Sequence, residues 1–132
     1  MTEPKARWDD LVGFSAQQNL LAKRLYVVVS EPTNGLGPIG EAGAAHLAYQ
    51  AQLEKEGVMF AARPLGDSAE QEWAGDGMFI YRAASQAKAV KIAEADPMHA
   101  TGARRFTVRP WLLNEGTLGI RVFYSGNRPE IT

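Results

Sequence analysis

Between Leu25 and Leu112 the regular segments follow the order strand, helix, strand, strand, helix, strand, and few folds accept that order. LYVVVS (25–30) is dense in β-branched and aromatic residues, as a buried strand requires. A glycine- and proline-rich stretch, EPTNGLGPIG (31–40), then breaks regular structure. Glu41 to Glu56 carries helix formers and stops at Gly57, a natural C-terminal cap. VMFAAR (58–63) and GMFIYR (77–82) read as the second and third strands, with a hairpin-like loop between them. Ser85 is placed to cap a second helix, QAKAVKIAEA (86–95). Asp96-Pro97 restarts a short helical turn, because Asp caps and Pro fits the first helical position. RRFTVRPWL (104–112) alternates cleanly, with Phe106 and Val108 on one face and Arg105, Thr107 and Arg109 on the other.

This βαββαβ order predicts an α+β, ferredoxin-like domain over 25–112, with two helices on one face of a four-stranded antiparallel sheet. The other sheet face needs a cover, and a second copy supplies one, so a homodimer with facing sheets is expected. Two additions flank the domain. Residues 1–24 hold an amphipathic helix over 8–22, marked by Trp8, Leu11, Val12, Leu20 and Leu21. Residues 113–132 hold a fifth strand, TLGIRVFY (117–124), and a loose tail.

Composition narrows the function classes. A net charge of −1 argues against a nucleic-acid binder held by a phosphate-seeking surface. The average hides an asymmetry: residues 104–132 carry five arginines and two glutamates. With no cysteine, thiolate nucleophiles and cysteine-based metal sites are excluded, and a reducing compartment fits. The N-terminal sequence lacks the apolar core of a secretory signal, and no apolar run is long enough to span a bilayer. A cytoplasmic protein is expected, with no membrane and no nucleic-acid partner.

Gly35-Leu36-Gly37-Pro38-Ile39-Gly40 matches G-x-G-x-x-G between a strand and a helix. In a dinucleotide-binding unit such glycines let the backbone approach a pyrophosphate. Here four residues separate strand from glycines, Pro38 removes a donor N–H, and no second βαβ crossover follows. A loop bordering a pocket is the preferred reading.

The candidates for chemistry are few. The two histidines are His46, followed at i+3 by Tyr49, and His99, three residues after Asp96. Imidazole is the side chain whose ordinary pKa lies near neutrality, and a carboxylate can fix its tautomer and raise its basicity. On residue chemistry alone, His46 reads as a helix-surface histidine beside a core tyrosine and Asp96 as a helix cap. The alternative is a proton-transfer pair. His46, Asp96 and His99 could also be combined as a two-histidine, one-carboxylate metal site, but no metal is expected. His99 is taken as a helix-turn residue rimming the site. Arg105 and Arg109, with Arg63, Arg82 or Arg121, are candidates to hold an anionic substrate, against a reading as solvated guards of sheet edges. Trp111 reads as a packing residue.

The series His46-x-x-Tyr49, Leu53-x-x-x-Gly57, Ala61-Ala62-Arg63-Pro64-Leu65, Gly77, Asp96-Pro97-Met98, Gly102 and Pro110-Trp111 resembles the YCII-related family over residues 25–112. The resemblance implies a small dimeric α/β barrel of ferredoxin-like fold, with His46 and Asp96 as an active-site dyad. The family includes a dehydrochlorinase of a chlorinated hydroxyhydroquinone, and muconolactone isomerases share the barrel. This chain departs from the pattern at Arg63, where the family usually has Gly, in the 31–40 loop, and in its two terminal additions.

The expectation is a lyase- or isomerase-type proton transfer on a small, anionic, oxygenated cyclic metabolite, with no organic cofactor. His46 would be general base or acid, Asp96 would orient and charge it, and Tyr49 would donate to a developing enolate or phenolate. Arg63, Arg105, Arg109 and His99 would bind substrate. The competing expectation is a dimeric small-molecule-binding or accessory protein that performs no chemistry.

Overall fold

The structure, a computed structural model, describes residues 2–132. Along the chain the elements are α1 (Trp8–Gln17), β1 (Lys23–Pro32), α2 (Leu36–Lys55), β2 (Met59–Pro64), β3 (Gly77–Tyr81), α3 (Gln86–Ala95), α4 (Pro97–Ala100), β4 (Arg104–Leu113), β5 (Ile120–Arg121) and β6 (Glu130–Ile131). They divide into two compact units, Arg24–Leu112 and the residues up to Lys23 together with Leu113–Thr132.

In the larger unit the strands lie in the order β2-β3-β1-β4. β3 runs antiparallel to β1, with Tyr26 opposite Tyr81 and Ser30 opposite Gly77, and antiparallel to β2, with Pro64 opposite Gly77. Strands β1 and β2 flank β3, so α2 must cross over it; α3 and α4 likewise cross over β1. Right-handed crossovers of this kind place the helices on one face. The ferredoxin-like α+β fold expected from segment order is therefore present.

The core follows from two periodicities. Val28 of β1 and the alternate residues Phe79 and Tyr81 of β3 meet Leu53 of α2, Met59 of β2 and Ala93 of α3 in one buried cluster. Ile39 and Ala42 of α2 meet Met98 and Ala103 in another. The buried positions of α2 (Ile39, Ala42, His46, Leu53) are spaced three, four and seven apart, as one helix face demands. His46 is thus placed on the face directed at the sheet.

Three elements differ from expectation by more than two residues at an end. Helix α2 begins at Leu36, so most of the glycine- and proline-rich stretch is helix. Gly35, at φ +66°, makes the entering turn, and Pro38 sits in the first turn, where its missing N–H has no intrahelical acceptor to forgo. His46 accordingly lies in mid-helix. Helix α1 stops at Gln17 because Asn19 and Ala22 take positive φ. In the smaller unit the Asn114 backbone and side chain then accept from the amides of Leu21 and Ala22, and its amide donates to buried Ser15. The expected strand over 117–124 shrinks to Ile120–Arg121. It pairs with Glu130–Ile131 of the tail in a separate two-stranded ribbon and adds nothing to the four-stranded sheet. Among the described residues no helix is long and apolar enough to cross a membrane.

Candidate functional site

Two helix features bring His46 and Asp96 together. His46 projects inward from α2, and Asp96 occupies the junction where α3 ends and α4 begins. Asp96 must leave the helical conformation there (φ −63°, ψ 126°), and its side chain accepts from the Met98 amide as the α4 cap. The packing of α4 against α2 sets this carboxylate beneath the imidazole. His46 Nδ1 lies 2.7 Å from Asp96 Oδ1 and 2.9 Å from Oδ2. Asp96 is fully buried and His46 is 8% exposed. A carboxylate accepts, so Nδ1 carries a proton, and in the neutral ring Nε2 is the nitrogen with the free lone pair.

That second nitrogen belongs to a residue lining a cavity of about 480 Å³. One wall is the α2 face, where Gly40 and Gly43 leave open space beside Ile39, His46, Leu47 and Gln50. The opposite wall is Ala62, Arg63 and Pro64 of β2 with Gly77 and Phe79 of β3. Met98, Trp73 and Arg104 complete it. Phe79 holds His46 at a ring-centroid distance of 5.7 Å. Trp73 is carried by the β2–β3 loop, where the Asp67 carboxylate accepts from the amides of Gln71 and Glu72. Those backbone donors hold the Asp67 carboxyl below the ordinary carboxylate range. The indole itself donates to the Asp76 carbonyl at 2.7 Å.

The other sequence-derived candidates take different places. The Tyr49 hydroxyl donates to the Ile92 carbonyl at 2.7 Å and does not line the cavity, so it ties α2 to α3 and has no proton to offer there. Burial, and then the Asp96 charge, push its pKa up. His99 is also away from the cavity. Its Nδ1 donates to the Ala93 carbonyl at 2.6 Å, which leaves Nε2 to accept from the Ser30 hydroxyl at 2.7 Å. Its ring packs on Phe106 with centroids 4.5 Å apart. Burial pulls its pKa below the ordinary histidine value, and it is a neutral structural residue. Among the described residues no group of three or more His, Cys, Asp or Glu side chains is arranged to hold a metal ion.

Of the arginines, Arg63 lines the cavity. Arg105 is exposed and pairs with Glu31 at 2.9 Å, while Arg109 is exposed on the same strand face; neither lines the cavity. The arginine that reaches it from β4 is Arg104, one residue earlier. The alternation that groups Phe106 with Val108 extends back two residues to Arg104, so the signal was present in the sequence.

A family model for the YCII-related domain matches residues 25–112, the span of the four-stranded sheet and its helices. Among solved structures, the chain is similar to the 5-chloro-2-hydroxyhydroquinone dehydrochlorinase of Burkholderia phenoliruptrix in complex with 2,5-dihydroxybenzoquinone. The match has a TM-score of 0.57 and 21% identity, and covers 66% of this chain and 92% of that one, a likeness of fold. The comparison with curated proteins gave no match.

Proposed function

Because this chain belongs to the YCII-related family, we propose that it is a small-molecule enzyme of the lyase or isomerase type that moves a proton with His46. The observation that carries this reading is the buried Nδ1–Oδ1 contact of 2.7 Å on a residue that also lines the cavity. His46 Nε2 would take a proton from a substrate carbon or hydroxyl, and the Asp96 carboxylate would stabilise the imidazolium so formed. In an isomerisation the proton returns at another position of the same ring. In an elimination a halide leaves with its bonding pair as the proton goes to Nε2.

The substrate class is a small, oxygenated ring compound. The cavity volume suits one, and the dehydrochlorinase of like fold is described with a dihydroxybenzoquinone. The family likeness supports a homodimer, and the absence of cysteine fits a cytoplasmic setting. A binding-only protein would need the cavity but not the dyad. Asp96 serving wholly as a helix cap would favour that reading, whereas both of its oxygens lie within 2.9 Å of His46 Nδ1.

The test is an absorbance screen of hydroxylated and chlorohydroxylated quinols and of unsaturated lactones, with the wild type and His46→Gln. Turnover of at least one class is expected, falling by about 10²–10⁴ in the variant with an unchanged circular dichroism spectrum. Undiminished turnover in His46→Gln would remove the assignment.

A further inference from the structure

The cavity wall contains two polar groups that the protein leaves unsatisfied. Arg104 Nε and Gln50 Nε2 are both buried without a hydrogen-bond partner, and both residues line the chamber that His46 lines. Buried polar groups are nearly always paired, so two orphans on residues that line one cavity are an informative exception.

Arg104 is the more demanding of the two. It is 5% exposed and, among the described residues, forms no ion pair. Asp96 and Asp76 act on it only through space, while burial pulls its pKa below the ordinary arginine value. A guanidinium nonetheless stays charged at any pH at which the protein is folded. Removing one from water without a partner is costly, and the partner such a group accepts best is a carboxylate or another oxyanion. No Asp or Glu lines the cavity, whereas Arg63 and Arg104 both do. The field inside therefore favours a negative ligand.

The neighbours of Arg104 keep that guanidinium in place. It lies over the Trp73 ring, 6.0 Å from the centroid. A Cβ at position 77 would stand 3.2 Å from Arg104 Nη1 and 3.3 Å from the Phe79 ring, so Gly77 leaves the room the guanidinium occupies. Gln50 stands one turn beyond His46 on α2, lines the same cavity and carries a second unpaired donor. The walls between these polar points are apolar and aromatic, suited to a flat ring.

We propose that Arg104 and Gln50 form a two-point receptor for an oxygen-bearing ring anion, with Arg104 taking the anionic oxygen and the Gln50 amide taking a second oxygen of the same molecule. This rests on the cavity being the substrate site and narrows the substrate class to carboxylates, phenolates and acidic enols.

Calorimetric titration of the full chain with 4-hydroxybenzoate and 4-hydroxybenzamide, matched in shape and different in charge, tests it. The benzoate should bind about tenfold or more tightly. Arg104→Met should abolish that preference, and Gln50→Leu should weaken both ligands several-fold while keeping it. Equal affinity of the wild type for the two ligands, or no binding of either, overturns the proposal without requiring any variant to fold. So does an Arg104→Met protein that retains the preference; unchanged affinities in Gln50→Leu overturn the second contact. The readout is binding, so a protein that prefers the anion yet turns nothing over would sink the proton-transfer reading alone. An active enzyme with no charge preference would sink only this one.

Discussion

Asp96 Oδ1 serves two partners at once, accepting from the Met98 amide at 2.9 Å and lying 2.7 Å from His46 Nδ1. The same atom therefore starts α4 and fixes the imidazole of α2. Local helix chemistry and the candidate catalytic geometry are not separable at this residue, and the two roles respond differently to substitution.

Asp96→Asn keeps an oxygen able to cap α4 and to accept from His46, but removes the charge that would stabilise an imidazolium. Stability should fall by only about 1–2 kcal/mol, the difference between a charged and a neutral acceptor. Turnover should fall by about 10²–10⁴. Asp96→Ala strands both the Met98 amide and the His46 Nδ1–H, and should cost roughly 2–4 kcal/mol. Urea denaturation of the two variants checks the pair. An alanine variant as stable as the asparagine one would show that the carboxylate holds neither partner.

His99 makes stability depend on pH. Burial lowers its folded-state pKa below the ordinary value of 6.5, so the unfolded chain binds the proton more readily. Its contribution is then complete above about pH 6.5 and is lost as pH falls toward the folded-state value. Protonation of Nε2 would also reverse its bond with Ser30, whose hydroxyl oxygen would then have to accept. The difference in denaturation midpoint between wild type and His99→Phe, followed from pH 8 to pH 5, should shrink as the pH drops. A difference that stays constant across the range would show that His99 does not titrate against the fold.

What the sequence revealed was mainly local. Helix α3 occupies Gln86–Ala95 as read, with Lys88 N donating to Ser85 Oγ, because cap, helix formers and stop all agree there. The start of α2 escaped, since Gly37, Pro38 and Gly40 carry loop chemistry, and only tertiary packing of Ile39 and Ala42 makes that turn helical. The fifth strand failed for the opposite reason. TLGIRVFY has strand propensity throughout, but propensity does not name a partner, and only Ile120 and Arg121 find one. In the site, the His46–Asp96 contact was implied by the family resemblance, helix order only permitting it, whereas the commitments of Tyr49 and His99 to the Ile92 and Ala93 carbonyls were implied by neither. Those depend on which backbone carbonyls face inward, information that no spacing carries.

Gly43 separates the cavity from the stability of the helix that bounds it. A Cβ there would meet nothing within 4 Å, and the residue lines the chamber. Gly43→Ala should raise stability by about 0.5–1 kcal/mol through helix propensity and leave ligand binding almost unaltered. Gly43→Leu should keep most of that gain while its side chain occupies the chamber, weakening binding of any ring ligand at least tenfold. Thermal melts and titrations on the two variants give both readouts. A leucine variant that binds as well as wild type would mean that ligands do not use this cavity.

Two tyrosines offer a matched test of what the buried polar groups contribute. The Tyr81 hydroxyl is buried in the core with no hydrogen-bond partner. Burial first, and then the nearby Asp96 charge, drive its pKa far above the ordinary 10, so it remains a neutral, unsatisfied phenol. Tyr81→Phe removes a group that was desolvated without compensation and should stabilise the protein by about 1 kcal/mol. Tyr49→Phe removes an equivalent hydroxyl that does have a partner, stranding the Ile92 carbonyl, and should destabilise by about 1 kcal/mol. The same chemical change should therefore move the urea midpoint in opposite directions at the two positions. Midpoint shifts of one sign would show that burial of the phenol, and not the presence of its acceptor, decides the outcome.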